Sequence, residues 1–175
     1  MMISEQEILD ASILIVDDLE ANVLLLEKML HSSGYRFVTS TMDPKAVYKL
    51  HRDNHYDLIL LDLEMPGMNG FQVMEGMKEI EKNGYLPLIV ITAHPIHENL
   101  ALASGAKDFI SKPFDMLELK MRIRNVLEVR LLYKGIAHTN KLLESYNEML
   151  GQTALERSIE LETLKKAFVS LLHRH

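Results

Sequence analysis

Five short strand-like runs alternate with helical patterns through the first two thirds of the chain. The runs are Ser12 to Val16, Phe37 to Ser40, Leu58 to Leu61, Leu88 to Ile91 and Asp108 to Ser111. Near-continuous apolar runs such as Leu88 to Ile91 are typical of strands that are covered on both faces, as in a parallel sheet. The pattern therefore predicts a (βα)5 domain, in which five parallel strands alternate with helices.

Helical spacing of apolar residues fills the segments between these runs. The first helix is predicted from about Glu20 to His31, with Gly34 as a left-handed stop beyond its end. The second opens at Asp43-Pro44, an N-cap residue followed by proline. A third is predicted from about Phe71 to Lys82, and a short fourth from about His97 to Ser104.

The segment after Asp115 has a different pattern, because it contains no proline up to Leu172 and its apolar residues repeat every seven positions. One series, interrupted by Arg157, contains Val129, Ile136, Leu143, Leu150, Leu164 and Leu171. The series four positions on contains Tyr133, Asn140, Asn147, Ala154, Leu161 and Phe168. Such heptads predict a helix of ~85 Å, at 1.5 Å per residue, that pairs as a coiled coil.

We therefore expect a homodimer whose seam contains Val129, Ile136, Leu143 and Leu150. The alternative is a helical hairpin packed on the body, with Gly135 and Gly151 as candidate break points. The predicted division is an N-terminal extension over 1–10, an α/β domain over 11–126 and a helical extension over 127–175.

Composition and charge exclude several classes of protein. The 175 residues include no cysteine, so disulfides and thiolate metal sites are excluded. No apolar run approaches the ~20 residues of a membrane span, and we expect a cytoplasmic protein without a membrane partner. Residues 1–114 contain 9 Lys/Arg and 17 Asp/Glu, whereas residues 115–175 contain 10 and 8. Neither part has the basic surface that nucleic-acid binding requires.

Five polar residues stand at the ends of four apolar runs: Asp17, Asp18, Asp62, Thr92 and Lys112. Each has an ordinary explanation taken singly, as a helix cap, a turn residue, a strand end or a surface lysine. Together they predict a site, because the carboxyl ends of parallel strands gather at one edge of the sheet. Three crowded carboxylates repel one another, and a divalent cation removes that cost. Ligands that are all oxygen favour Mg²⁺ or Mn²⁺ over zinc.

These residues lie in segments that match, in order, the motifs of a known family. The segments are Ile13 to Asp18, Asp57 to Gly70, Ile91-Thr92-Ala93 and Lys112-Pro113-Phe114. Over about residues 10 to 125 the chain resembles the CheY-like receiver domain of two-component response regulators. The resemblance implies a flavodoxin-like sheet of order 2-1-3-4-5 and a histidine kinase or phosphotransfer protein as the phosphoryl donor.

The resemblance also implies a role for each matching residue. Asp62 would accept the phosphoryl group. Asp18 and Asp62 would bind Mg²⁺ directly, Asp17 through water, and Glu64 through its backbone carbonyl. Thr92, Ala93, Lys112 and the aromatic Phe109 would form the phosphate-binding switch, and the bond before Pro113 would be cis. Phe109 has no hydroxyl group, so it would signal by packing alone.

The output of such a receiver is less well defined by the sequence. Arg122 to Leu132 is similar to the helical linkers that join receivers to cyclic-di-GMP phosphodiesterase domains of the HD-GYP kind. The chain contains no signature of an effector enzyme, and we expect it not to be an enzyme itself. It is either a fragment of such a regulator, with a downstream effector, or a receiver whose helix is the whole output. A phosphate-independent interaction module is a further alternative. A Mg²⁺-dependent phosphohydrolase is disfavoured, because it needs an Asp where Glu64 stands.

Overall fold

The computed structural model describes residues 3–81, 85, 87–94 and 96–172, with only the backbone for 96–99 and 171–172. Five strands lie within a few residues of the predicted runs. Their bounds are β1 Ser12–Val16, β2 Phe37–Thr41, β3 Leu58–Asp62, β4 Leu88–Thr92 and β5 Asp108–Ser111. All neighbouring strands are parallel and lie in the order β2-β1-β3-β4-β5, which confirms the predicted flavodoxin-like topology.

Six α-helices connect and flank the strands in the described part of the chain. Their bounds are α1 Glu5–Leu9, α2 Glu20–Ser32, α3 Val47–Asn54, α4 Gly70–Ile80, α5 Ile96–Ala103 and α6 Met116–Leu172, with a 3-10 turn at Pro44–Ala46 before α3. The sequence patterns missed α1, which is held by a capping box between Ser4 and Glu7. The end predicted for the third helix, Lys82, lies outside the described residues.

The sheet separates two apolar layers, because successive side chains of a strand point to opposite faces. Ile13 and Ile15 of β1 pack with α2 and the start of α6, whereas Leu14 and Val16 pack with α3 and α4. The interior strands β1, β3 and β4 are almost completely buried. This burial explains why their sequences read as continuous apolar runs and not as alternating ones.

The chain separates into two compact units, residues 1–133 and 134–175. In the first unit α6 begins at Met116, directly after Asp115, whose carboxylate accepts hydrogen bonds from the N–H groups of Leu117 and Glu118. Leu119, Ile123 and Leu127 then pack against the sheet. In the second unit the described residues 134–172 are all helical, and almost all side chains of residues 134–170 are exposed. Within the described part of the chain, no helix is long and apolar enough to cross a membrane.

α6 is one uninterrupted helix and confirms the predicted long C-terminal helix. The hairpin alternative is wrong, because the helix continues through both Gly135 and Gly151. The helix does not break at these positions because an isolated glycine destabilises a helix by only about 1 kcal/mol relative to alanine. The many good helix formers around each glycine outweigh that cost.

Arg130 links α6 to the edge of the sheet opposite the predicted site. Arg130 is 8% exposed, and its guanidinium donates to the backbone carbonyl of Tyr85 and lies 4.0 Å from the Asp57 carboxylate. Asp57 in turn accepts hydrogen bonds of 3.1 Å from the backbone and hydroxyl of Ser12. Two buried charges of opposite sign therefore join α6 to β1 and β3.

We expect Arg130→Ala to lower the free energy of unfolding by about 3 kcal/mol, because it leaves the Asp57 carboxylate buried without its counter-charge. Urea denaturation followed by circular dichroism measures the change. Arg124→Ala is the control, because Arg124 pairs with Glu5 at the surface and such pairs contribute less than about 1 kcal/mol. Equal losses of unfolding free energy in the two variants would show that the buried pair stabilises the fold no more than the surface pair does.

Candidate functional site

The carboxyl ends of β1 and β3 bring three acidic side chains together. Asp17 and Asp18 follow β1 directly, and Asp62 is the last residue of β3. One carboxylate oxygen from each lies within 4.8 Å of the other two. Asp17 is 1% exposed and Asp62 is also buried, whereas Asp18 is half-buried. The cluster is therefore acidic, made only of oxygen, and open to solvent on one side.

Lys112 follows β5 and extends into the same cluster. Its ammonium nitrogen lies 2.8 Å from Asp62 Oδ1 and 3.2 Å from Asp17 Oδ2. The peptide bond between Lys112 and Pro113 is cis. One ammonium group thus partly neutralises two buried carboxylates that stand 45 residues apart in the chain.

Opposing effects act on the pKa of each member of this ion pair. Burial raises the pKa of the Asp62 carboxyl, and it outweighs the hydrogen bond and charge of Lys112, which lower that pKa. Burial lowers the pKa of Lys112, but the bonds and charges of Asp62 and Asp17 outweigh it, so the pKa of the ammonium is raised. Asp62 is therefore a carboxylate whose negative charge is costly at this site.

Hydrogen bonding distinguishes Asp62 from Asp17. Asp62 Oδ2 accepts one bond, 3.0 Å from the backbone nitrogen of Glu64, and Oδ1 accepts one from Lys112. Each oxygen of Asp17 accepts two bonds from the described residues. A carboxylate oxygen has about two lone-pair positions, so Asp62 keeps acceptor capacity that Asp17 has already used.

The remaining predicted switch residues lie at the carboxyl end of β4 and within β5. Thr92 is fully buried, and its hydroxyl accepts a hydrogen bond of 3.1 Å from the backbone nitrogen of His94. Ala93 is exposed beside it. Phe109 is half-buried against the layer that contains α4, and the Arg122 guanidinium lies 6.0 Å from the centre of its ring.

The residues of the predicted dimer seam all belong to α6. Val129, Ile136, Leu143 and Leu150 are between 47% and 59% exposed. These apolar side chains are therefore available to a partner.

Sequence reasoning missed two contributions to the site. Asn22 in the first turn of α2 donates to both oxygens of Asp17 at 2.9 Å. The Glu64 side chain pairs with the His94 imidazole, across the loops that follow β3 and β4. A signal was present in both cases. Asn22 stands one helical turn beyond Asp18, and Glu64 and His94 each stand two residues after a predicted site residue.

A parallel sheet of this order, with an acidic cluster and a lysine at the carboxyl ends of its strands, defines the class of protein. The family model described as the response regulator receiver domain matches residues 13–124. The chain belongs to this family, which functions in two-component signalling, and the predicted resemblance is confirmed.

Individual relatives agree with this assignment. The response regulator PleD of Caulobacter vibrioides is 40% identical over 126 residues, which are 71% of this chain and 28% of that protein. A probable cyclic di-GMP phosphodiesterase of Vibrio cholerae is 28% identical over 171 residues, covering 97% of this chain and 37% of that protein. The chain thus spans about a third of the length of these relatives.

Solved structures resemble the same part of the chain. The receiver domain of a sensor histidine kinase from Pseudomonas aeruginosa has a TM-score of 0.61 with this chain and is 29% identical. The match covers 67% of this chain and 98% of that structure, which has a magnesium ion coordinated in its active-site cleft.

Proposed function

We propose that Asp62 accepts a phosphoryl group from a histidine kinase or a phosphotransfer protein. The observation that carries the proposal is the contact of 2.8 Å between the buried Asp62 carboxylate and the Lys112 ammonium, beside Asp17 and Asp18. An oxygen of Asp62 attacks the phosphorus of a phosphohistidine, the P–N bond breaks, and its electron pair leaves with the imidazole. Lys112 stabilises the charge on the phosphoryl oxygens, since this kind of transfer depends mainly on positioning and electrostatics.

The acidic cluster fits Mg²⁺, because its donors are oxygens and three of them lie within reach of one ion. Asp18, Asp62 and the backbone carbonyl of Glu64 would hold the ion directly, and Asp17 through water. When bound, Mg²⁺ would neutralise charge on the carboxylates and on the phosphoryl group. The raised pKa of Asp62 supports this assignment, because it means that the neighbouring positive charge does not fully offset the cost of burying the Asp62 carboxylate.

The switch consists of residues that already border the cluster. The new phosphoryl oxygens accept hydrogen bonds from the Thr92 hydroxyl, the Ala93 backbone and the Lys112 ammonium. The loops after β4 and β5 then move towards Asp62, and Phe109 packs into the space that Thr92 leaves. The Arg122 guanidinium over the Phe109 ring supports a path to α6, since a movement of the ring changes the surroundings of that helix.

The division of the chain and its output also form part of the proposal. Residues 1–10 form an extension, 11–126 the receiver, and 127–175 a helical stalk that dimerises through Val129, Ile136, Leu143 and Leu150. The alignment with the Vibrio cholerae relative includes this stalk, which favours a regulator of cyclic-di-GMP turnover with a downstream effector domain as a second candidate. The cytoplasm is the compartment in which a histidine kinase would reach Asp62.

Intact-mass spectrometry after incubation with acetyl phosphate tests the proposed function. We expect one added phosphoryl group per chain in the presence of Mg²⁺ and none when the ion is removed with EDTA. Hydroxylamine should remove the group, because it cleaves acyl phosphates. A protein that stays unmodified at saturating Mg²⁺ would favour the phosphate-independent alternative.

We expect Mg²⁺ to stabilise the fold, because it relieves repulsion among Asp17, Asp18 and Asp62. At one hundred times its dissociation constant, a ligand of the native state adds about 2.7 kcal/mol. For a protein of this size that corresponds to a rise of roughly 5 to 10 °C in Tm. Differential scanning fluorimetry in a MgCl₂ series measures the rise, and Asp18→Ala should lose most of it. Equal rises in the two proteins would place the ion elsewhere.

A further inference from the structure

Among the described residues outside the predicted set, Asn22 makes the most hydrogen bonds to the acidic cluster. Its side-chain nitrogen lies 2.9 Å from Oδ1 and 2.9 Å from Oδ2 of Asp17. Both oxygens of an ionised carboxylate are acceptors, so the group that faces them is the NH₂ of the amide and not its carbonyl. The Asn22 amide therefore holds the Asp17 carboxylate by both of its oxygens.

The position of Asn22 on its helix makes this contact possible. Asn22 is the third residue of α2, and helical side chains lean towards the N-terminus of their helix. Asp17 stands just before that N-terminus and also accepts a bond of 2.9 Å from the backbone nitrogen of Leu19. The N-cap residue Leu19 has no side-chain cap, so Asp17 and Asn22 together organise the start of α2.

The four hydrogen bonds to Asp17 are unequal. Leu19 and Asn22 donate to Oδ1, and Asn22 and Lys112 donate to Oδ2, so the four bonds occupy about four lone-pair positions. An ion or its bound water at Asp17 would take the place of one of these donors. The bond to Lys112 is the longest, at 3.2 Å, and Lys112 has a shorter bond of 2.8 Å to Asp62. Lys112 is therefore the donor that would be displaced first.

After Lys112 leaves, Leu19 and Asn22 are the donors that still hold Asp17. Leu19 donates to Oδ1 alone, whereas Asn22 donates to both oxygens. Asn22 therefore supplies two of the three remaining hydrogen bonds and the only one of them to Oδ2 among the described residues. Without it, repulsion from Asp18 and Asp62 would turn the Asp17 carboxylate away from the cluster.

We infer that Asn22 is a positioning residue for the divalent-cation site: it orients Asp17 towards the ion and leaves Lys112 free to move to the phosphoryl group. This inference rests on the proposed function. Partners that orient the ligands of a metal in this way typically contribute 10- to 100-fold to metal affinity. Loss of the Asn22 amide should therefore raise the dissociation constant for Mg²⁺ at least about tenfold.

The test uses the full chain with Asn22→Leu, which keeps the approximate shape of asparagine and removes its donor. Asn125→Ala is the matched control, because Asn125 is also helical but exposed and remote from the cluster. The dissociation constant is taken from the rise of Tm in a MgCl₂ titration, and labelling by acetyl phosphate is followed separately at saturating Mg²⁺. We expect a rise of at least about tenfold for Asn22→Leu and less than twofold for the control.

A dissociation constant that is unchanged in Asn22→Leu would overturn the inference. So would a variant whose Tm falls without Mg²⁺ while its affinity for the ion stays the same, since that result describes a merely structural residue. If Asn22→Leu does not fold, Asn22→Ala replaces it, and failure of both variants to fold also counts against the inference.

The two readouts separate this inference from the proposed function. If the wild type is labelled and Asn22→Leu binds Mg²⁺ with unchanged affinity, only the inference about Asn22 fails. If the wild type binds Mg²⁺ but is never labelled, and Asn22→Leu loses about tenfold in Mg²⁺ affinity, the proposed phosphorylation fails and the role of Asn22 is supported.

Discussion

Asp62→Asn should abolish the labelling of this protein by acetyl phosphate, whereas the wild type should gain one phosphoryl group per chain. The amide of asparagine is not a nucleophile under these conditions, and it cannot form the acyl phosphate. Asp17 and Asp18 should not replace Asp62. Both oxygens of Asp17 already accept two hydrogen bonds each, and Lys112 lies closer to Asp62 than to Asp17. Intact-mass spectrometry at saturating Mg²⁺ measures the difference.

The matched control for this variant is Asp53→Asn, which removes an exposed carboxylate from α3 without touching the cluster. It should be labelled like the wild type. Labelling that persists in Asp62→Asn would move the acceptor to another carboxylate, and peptide mapping would identify it. A fall in labelling of similar size in both variants would instead indicate a general loss of the folded state.

Replacing Leu143 and Leu150 with glutamate should convert a dimer into a monomer. Burying a leucine side chain contributes about 1.5 to 3 kcal/mol, and a two-stranded seam would bury four of these leucines. The charged replacements also repel each other across the seam. We expect the dissociation constant of the dimer to rise at least about 1,000-fold, which corresponds to roughly 4 kcal/mol. Sedimentation equilibrium of the full chain at tens of micromolar measures it.

The control replaces Leu142 and Met149, which are the preceding residues on the helix. They are 57% and 53% exposed, close to the 54% and 47% of Leu143 and Leu150. Because they point about 100° away around the helix, they lie outside the predicted seam. Leu142→Glu with Met149→Glu should leave the dimer intact. A wild type that is monomeric, or a control that dissociates equally, would contradict the coiled coil.

Asn140 and Asn147 bear on the same prediction. They occupy the companion series of the heptad, where a polar residue costs stability but favours one register and a two-stranded state. Their position supports a parallel pair over a higher oligomer.

The cluster itself illustrates which parts of a site can be predicted from sequence. Asp17, Asp18, Asp62 and Lys112 each follow an apolar run, and parallel topology brings the ends of such runs to one edge. Their proximity was therefore predictable without coordinates. Spacing places Asn22, Glu64 and His94 near the site, but their contacts could not be specified from it, because side chains on a helix and on two loops meet only through the geometry of the folded backbone.

The buried pair of Arg130 and Asp57 is a similar case. In the sequence, Arg130 is one of many charged residues on a long helix, and its position in the heptad does not predict that it is buried. It is buried because α6 lies against the sheet there and because Tyr85 and Asp57 offer acceptors at the opposite edge. A local sequence pattern cannot predict this contact, since Tyr85 and Asp57 stand 45 and 73 residues away from Arg130 in the chain.

By itself the sequence determined the order of strands and helices, the long C-terminal helix and the residues that end each strand. It did so because apolar periodicity and turn residues are local properties that act within a few positions. Only the tertiary structure decided how each carboxylate is bonded and which oxygen keeps acceptor capacity. It also decided whether burial and neighbouring charges raise or lower each pKa. These properties depend on distances of a few ångströms and on burial, and both arise only when elements that are distant in the chain pack together.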